Sequence, residues 1–114
     1  MEIPVYNQLE QRLRQIEAHQ LQPYLRNART GLEKESLRVN TEGRLSQREH
    51  PKVLGSALTH PWITTDYAES LLEMITPPQE RAYQALDFLL DVETFVYQQL
   101  QDELLWTASM PCVI

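Results

Sequence analysis

Five acidic residues in two short stretches are the residues of this sequence best suited to carry chemistry. Glu33 and Glu35 stand in a stretch of alternating polarity. Asp66, Glu69 and Glu73 stand in a later apolar, hydroxyl-bearing stretch that ends at a Pro-Pro pair. The first stretch and the last part of the second, Ser70 to Thr76, predict β-strands, because they are short and are bounded by turn residues. Side chains along a strand alternate between its two faces, so Glu33 shares a face with Glu35, and Glu69 shares one with Glu73.

An acidic strand face either lies in water or holds a cation, because burying a lone carboxylate is costly without a partner. If the two strands are neighbours in one sheet, their acidic faces can converge, and mutual repulsion then raises the pKa values of the carboxyl groups. Clustered oxygen ligands suit Mg²⁺ or Mn²⁺, ions that also coordinate phosphates. Spacing alone leaves two interpretations open: a metal site, or a solvated negative sheet face in an acidic protein.

The remaining residue types with chemical potential have simpler structural explanations. His50 and His60 each precede a proline in a loop, without a partner at zinc-ligand spacing, so they are expected to pack in the loop or lie at the surface. Cys112 stands in an apolar setting and is expected to be buried and inert. Trp62 and Trp106 are more typical of core or rim positions than of stacking platforms. No glycine-rich phosphate loop is present, so a bound nucleotide would depend on metal and carboxylates.

Composition and charge indicate one small globular domain. A chain of 114 residues is long enough to bury a hydrophobic core. Its content of 42% hydrophobic and 23% charged residues is typical of a globular protein. The net charge of -6 argues against nucleic acid as the main partner, since phosphate binding requires a basic field. No apolar run reaches the ~18 residues of a membrane span, and no secretory signal is recognisable. Together with a single cysteine, these features favour a cytoplasmic protein.

A small, mostly antiparallel sheet is predicted to carry both acidic stretches. The alternation over 32–39 predicts a first strand, and residues 40–43 predict a hairpin turn into a short return strand at 44–46. Residues 47–62 have loop composition, and a loop of this length in a compact domain is often functional. A second main strand is predicted at 70–76.

Two amphipathic helices are predicted, one before and one after these strands in the sequence. Apolar residues at three- and four-residue steps predict a first helix from Pro4 to His19. Thr76 and Gln79 form a capping-box pattern that predicts the start of a long C-terminal helix. Its apolar positions, which include Leu86 and Leu89, form a wide face that should cover one side of the sheet. The predicted fold class is therefore α+β.

Several segments between residues 31 and 114 match one protein family in sequence and in order. They are Gly31-Leu32-Glu33-Lys34-Glu35-Ser36-Leu37-Arg38-Val39, Leu54-Gly55-Ser56-Ala57-Leu58-Thr59-His60, Ile63-Thr64-Thr65-Asp66-Tyr67-Ala68-Glu69, Leu71-Leu72-Glu73-Met74-Ile75-Thr76-Pro77, Leu105-Trp106 and Ser109-Met110-Pro111-Cys112. Together they resemble the N-terminal part of bacterial glutamate–cysteine ligase (γ-glutamylcysteine synthetase). Each segment is short, but their order makes the resemblance specific, whereas the first 25 or so residues match only as a helix.

The resemblance implies a fold related to glutamine synthetase, in which an antiparallel sheet forms a funnel lined with acidic metal ligands. It also implies the first step of glutathione synthesis, with glutamate, cysteine and ATP as small-molecule substrates. ATP phosphorylates the γ-carboxylate of glutamate, and the cysteine amine then displaces the phosphate. Such chemistry needs divalent ions, Mg²⁺ or Mn²⁺, to bridge the phosphates and neutralise their charge.

Matching motif positions imply roles for five residues. Glu33, Glu35, Asp66 and Glu73 would be metal ligands for Mg²⁺–ATP. Tyr67 matches a position that carries an aromatic residue in the family and would lie near the cysteine substrate.

Length is the main departure from the family, whose enzymes are several times longer. Residues 1–114 are therefore expected to be a single-domain N-terminal fragment of a larger ligase catalytic domain, inactive or nearly so alone, with an open sheet edge. An alternative is a non-enzymatic fragment that self-associates, or pairs with a full-length ligase, through this edge. A third possibility is another carboxylate–amine ligase of related fold, although the Ser-Met-Pro-Cys segment favours the cysteine-using branch.

Overall fold

A four-stranded sheet with one long helix packed on it forms the body of the structure, a computed structural model that describes residues 5–114. The predicted helix start at Pro4 lies outside the described residues. In chain order the elements are α1 (Val5–Ala18), α2 (Gln22–Arg26), β1 (Glu33–Asn40), a 3-10 turn (Lys52–Leu54), β2 (Ile63–Thr65), β3 (Leu71–Ile75), α3 (Ala82–Gln99) and β4 (Glu103–Leu105). The predicted α+β class is confirmed.

The sheet has the strand order β2-β3-β1-β4, and each pair of neighbouring strands is antiparallel. The strands predicted at 32–39 and 70–76 are confirmed to within one residue at each end. β2 and β4 were not predicted as separate strands, because three residues are too few to show alternation. β4 pairs only with Arg38–Asn40 of β1. Among the described strands, residues 33–36 of β1 therefore have a neighbour on the β3 side alone.

The predicted return strand at 44–46 is confirmed only in part, because this segment pairs with β1 through a single antiparallel bridge and is too short to form a strand. The turn closes tightly: Asn40 Oδ1 accepts the amide hydrogen of Arg44 at 2.9 Å. Leu45 bridges Val39, but the chain leaves the ladder after Ser46, whose amide donates to Arg38 O.

The predicted helix start at Thr76 is wrong. The Thr76 amide donates to Leu32 O at 2.9 Å, and the Thr76 hydroxyl oxygen accepts the Leu32 amide hydrogen at the same distance. Gln79 and Thr30 then exchange two backbone hydrogen bonds of 2.8 Å. Because these donors and acceptors extend the β1–β3 ladder, the helix starts only after Arg81, which has an extended backbone.

The hydrophobic core lies between α3 and one face of the sheet, as the sequence predicted. Leu72 and Met74 of β3 are fully buried there. The helix contributes mainly the residues Ala85, Leu89, Val92 and Val96. Leu86, which was predicted on the buried stripe, is half exposed because it lies on the outer side of α3.

The described part of the chain contains no helix that is both long enough and apolar enough to cross a membrane. α1 carries Leu9 and Leu13 on a half-exposed surface and does not pack extensively on the sheet or on α3. The stable part of this structure is therefore the sheet with α3.

Leu72→Ala should destabilise the fold strongly, because Leu72 is 0% exposed and its loss leaves a cavity under α3. We expect the free energy of unfolding, measured by urea denaturation, to fall by about 2–5 kcal/mol. Leu58→Ala is the matched control, since Leu58 is 95% exposed, and should change stability by less than about 0.5 kcal/mol. Equal effects of the two substitutions would contradict this placement of the core.

The loop that precedes β2 should make stability depend on pH. Burial lowers the pKa of His50, and the nearby Arg38 charge lowers it further. His50 therefore binds a proton at pH ~6.5 in the unfolded chain, whereas in the folded chain it does so only at a lower pH. Stability should fall as the pH drops through that value, and the loss should stop growing below the lowered pKa of the folded state.

His50→Gln should flatten this part of the stability curve, measured by urea denaturation between about pH 7.5 and 5. The exposed His19 provides a matched control, and His19→Gln should leave the slope unchanged. An unchanged slope in His50→Gln would show that another group causes the dependence.

Candidate functional site

Antiparallel pairing of β1 with β3 brings the predicted acidic residues onto one face of the sheet. Glu35 lies directly opposite Glu73, and Glu33 lies opposite Ile75. Thr64 of β2 is the other cross-strand neighbour of Glu73. Directly opposed side chains share a face, with Cβ atoms about 4.5–5.5 Å apart. Two carboxylates from different strands therefore meet. The sequence predicted this convergence only on the condition that the two strands are neighbours.

Asp66 joins these residues from the loop that follows β2. Burial raises the pKa of Glu73, and the negative charges of Glu33, Asp66 and Glu35 raise it further. The carboxylates of Glu33, Asp66 and Glu35 are thus close enough to Glu73 to affect its pKa. Glu33, Glu35, Asp66 and Glu73 are called the acidic face below.

Glu69 does not extend the acidic face as a strand residue, contrary to the sequence prediction. β3 begins only at Leu71, and Glu69 precedes it in the loop. The Glu69 carboxylate accepts the amide hydrogen of His50 at 2.9 Å. It therefore ties two loops together.

The acidic face has no compensating cation within residues 5–114. None of its four carboxylates forms a salt bridge with a described residue. Lys34, which lies between Glu33 and Glu35 in the sequence, belongs to the opposite strand face. There its ammonium group pairs with Glu93 of α3 at 2.6 Å. Since α3 covers that opposite face, the charge on the acidic face is left unbalanced.

The donor chemistry of the acidic face fits a divalent cation. Carboxylate oxygens are the ligands that Mg²⁺ and Mn²⁺ prefer, and a bound cation would relieve the repulsion that raises the pKa of Glu73. In the described residues, however, no group of three or more His, Cys, Asp or Glu side chains is close enough together to hold a metal ion. The acidic face therefore offers ligands, without forming a closed coordination shell by itself.

A cavity of about 330 Å³ lies beside the acidic face and has Glu35 in its wall. Tyr67, which was predicted near a substrate, lines this cavity and is 89% exposed. Trp106 lines it as well, and its indole Nε1–H donates to Met110 O at 2.8 Å. Volumes of this order accommodate small ligands. The structure thus places Tyr67 and one predicted metal ligand around the same space.

The segment that follows β4 was not predicted to form part of a site. Trp106 and Met110 line the cavity because β4 pairs with β1 and returns the chain towards Glu35. The available signal was the match of Trp106 and of the Ser-Met-Pro-Cys segment to the family. Cys112 is buried, as expected. His60 packs in its loop, where its Nδ1 accepts backbone amide hydrogens at 3.1 and 2.9 Å.

Sequence comparison shows that this chain is similar to known ligases. The family model described as glutamate-cysteine ligase matches residues 13–114. The glutamate–cysteine ligase of Alcanivorax borkumensis is 50% identical over 106 residues, which cover 93% of this chain and 20% of the relative. That of Edwardsiella ictaluri is 56% identical over 86 residues, covering 75% of this chain and 17% of the relative. The chain thus spans about a fifth of the length of these relatives.

Solved structures agree with the sequence comparison. Glutamate–cysteine ligase from Francisella tularensis, solved in complex with AMP, matches with a TM-score of 0.72 and 38% identity, covering 75% of this chain and 17% of that structure. A bifunctional glutathione synthetase from Pasteurella multocida matches with a TM-score of 0.78 and 37% identity, covering 87% of this chain and 14% of that structure. With the family match extending from residue 13 to residue 114, the chain belongs to the glutamate–cysteine ligase family.

Proposed function

We propose that this chain supplies the N-terminal part of the catalytic site of an ATP-dependent glutamate–cysteine ligase. The observation that carries the proposal is the acidic face. There Glu35 lies opposite Glu73, and among the described residues no lysine or arginine side chain forms a salt bridge with either carboxylate. Like charges placed directly opposite each other destabilise a sheet. An arrangement of this kind is understandable if a divalent ion normally occupies the face.

In this proposal Glu33, Glu35, Asp66 and Glu73 hold Mg²⁺ or Mn²⁺ and so position ATP. When bound, the ion supplies positive charge that offsets the phosphate charge during phosphoryl transfer to the γ-carboxylate of glutamate. The cysteine amine then displaces the phosphate to give γ-glutamylcysteine. Support for an adenine nucleotide comes from the Francisella tularensis relative, which was solved with AMP.

Tyr67 takes the role of a contact to the cysteine substrate. Its exposed ring lines the cavity that also contains Glu35, so a ligand there would lie next to the proposed metal ligands. The aromatic ring can exclude water from one side of that ligand.

The proposed site is incomplete in this chain. The described residues do not close a metal site, and relatives are about five times longer. We therefore propose that residues 1–114 act as a single-domain fragment of a larger catalytic domain and are inactive alone. The cytoplasmic location stays a prediction.

A second candidate function is association through the open edge of β1. Residues 33–36 have a strand neighbour on one side only among the described residues. An unpaired edge presents amide and carbonyl groups to which another strand can add. The partner would be a second copy of this chain or a longer ligase, and a strictly monomeric chain in analytical ultracentrifugation would count against self-association.

The carboxyl group of Glu73 should report both its neighbours and a bound ion. Glu35→Gln removes the charge opposite Glu73 and should move the raised pKa of Glu73 back towards its ordinary value. Adding Mg²⁺ to the unsubstituted chain should shift the pKa in the same direction. The measurement is an NMR titration of the Glu73 carboxyl carbon.

Glu42→Gln is the matched control for Glu35→Gln, since Glu42 is exposed in the turn after β1. It should leave the Glu73 titration unchanged. The raised pKa of Glu73 also affects stability, because the folded state loses stability as the pH rises above the unfolded pKa of ~4.3. Glu35→Gln removes one cause of the raised pKa, so it should stabilise the fold at neutral pH. A Glu73 titration insensitive to Mg²⁺, both in the chain alone and after the missing part of a ligase is added, would contradict the metal assignment.

The activity itself is tested by release of ADP from Mg²⁺–ATP in the presence of glutamate and cysteine. We expect no activity from the chain alone. Activity should appear when the part of the Alcanivorax borkumensis ligase that follows the matched region is added. Glu73→Gln should abolish that activity, because it removes one carboxylate from the acidic face.

Two outcomes would contradict the proposal. Activity of the isolated chain that Glu73→Gln abolishes would show that 114 residues contain a whole site. Restored activity that Glu73→Gln leaves intact would show that the acidic face is not part of it.

A further inference from the structure

Arg38 is a fully buried charged residue on the sheet face opposite the acidic face. Its side chain is 0% exposed, and its Nη1 donates to both carboxylate oxygens of Glu103 at 2.9 and 3.1 Å. Ser46 Oγ donates a further hydrogen bond to Glu103. This ion pair joins the end of β1 to β4. A buried, hydrogen-bonded charge pair has few alternative arrangements, because separating it leaves charges without partners.

The second arm of the guanidinium extends to two loops. Arg38 Nη2 donates to Arg48 O at 2.8 Å and to Glu69 O at 3.2 Å. The backbone amide of Arg38 donates to Ser70 O at 2.7 Å. Arg38 therefore contacts the loop 66–70 through both its side chain and its main chain.

The loop 66–70 carries two of the proposed site residues, Asp66 and Tyr67. It is short and closed at its base, where the Asp66 amide donates to Leu71 O at 3.1 Å and the Leu71 amide donates to Ala68 O at 2.9 Å. A shift at Glu69 would therefore move the start of the loop as well. Because the proposed contacts of Asp66 and Tyr67 are short-ranged, such a shift would matter for ligand binding.

We propose that Arg38 is a positioning residue that holds the loop 66–70, so that Asp66 and Tyr67 lie beside the acidic face. The inference rests on the proposed function for the roles of those two residues. Arg38 itself touches neither of them and lies on the other side of the sheet. It acts through the Glu69 carbonyl oxygen and the Ser70 carbonyl oxygen.

The first test is amide hydrogen exchange on the whole chain without metal, followed by NMR. Arg38→Met removes the guanidinium but keeps an apolar stem of similar length. We expect protection of the Asp66 and Leu71 amides to fall about tenfold. The Ile75 and Thr76 amides, which bond to Trp62 O and Leu32 O, should change much less.

Arg48→Met is the matched control. It removes the same charge from an exposed arginine whose side chain pairs with Asp102 at the surface. Because Arg38 contacts only the backbone oxygen of Arg48, this variant should leave the protection of the loop amides unchanged. Loss of protection in the loop no greater than that at Ile75 and Thr76, in both Arg38→Met and Arg38→Lys, would overturn the proposal.

The second test adds Mn²⁺ and measures paramagnetic broadening of backbone amides. In the unsubstituted chain, amides of Glu35, Asp66 and Glu73 should broaden. Arg38→Met should reduce the broadening at Asp66 and Tyr67 about fivefold while leaving Glu35 and Glu73 affected. Unchanged broadening at Asp66 would overturn the positioning role.

The two tests separate the failure of this inference from the failure of the proposed function. If Mn²⁺ broadens no amide of the acidic face in any variant, even after the missing part of a ligase is added, the metal assignment fails. Hydrogen exchange without metal still decides whether Arg38 holds the loop.

Arg38→Lys keeps the inference testable if Arg38→Met does not fold. Lysine retains the positive charge beside Glu103, but its single ammonium group cannot reproduce the two-armed geometry of a guanidinium. We expect a folded protein with a selective loss of protection at Asp66 and Leu71. A folded Arg38→Lys variant with full protection in the loop would overturn the proposal.

Discussion

The pairing of β1 with β3 is the constraint on which the rest of the structure depends. Its register places Glu35 opposite Glu73 on one face and, through the alternation of side chains, sets Ser36 opposite Leu72 on the other. A shift by one residue would turn the carboxylates towards α3 and the apolar residues towards water. The register is therefore held by the cost of burying charge as much as by the hydrogen bonds of the ladder.

The two faces of this sheet have opposite physical characters. On the buried face, Leu72 and Met74 pack under α3, and the one cation of that half of β1, Lys34, is matched by Glu93. On the acidic face, repulsion and burial raise the pKa of Glu73. Violations of a stability rule in one place, compensated by packing elsewhere, are typical of functional sites. The contrast supports the proposal that the acidic face is built for a ligand cation.

The connections around the sheet explain how loop residues reach the acidic face. Arg38 joins β1 to β4 through Glu103 and joins both to the loop that carries Asp66. β4 in turn delivers Trp106 to the cavity shared by Tyr67. One buried side chain thus links the segments from which the proposed metal ligands and substrate contacts come.

Local pattern in the sequence determined the α+β class, the two main strands, the sharing of a face by Glu33 and Glu35, and, through motif order, the family. These features depend on periodicities of two or 3.6 residues and on short segments, all of which are visible along the chain. Only the tertiary structure decided the opposition of Glu35 and Glu73, the strands β2 and β4, the burial of Arg38 and the late start of α3. Each depends on a partner far away in the chain, as when the Thr76 hydroxyl oxygen accepts the amide hydrogen of Leu32 and does not cap a helix. Competition between such distant partners is settled by packing in three dimensions.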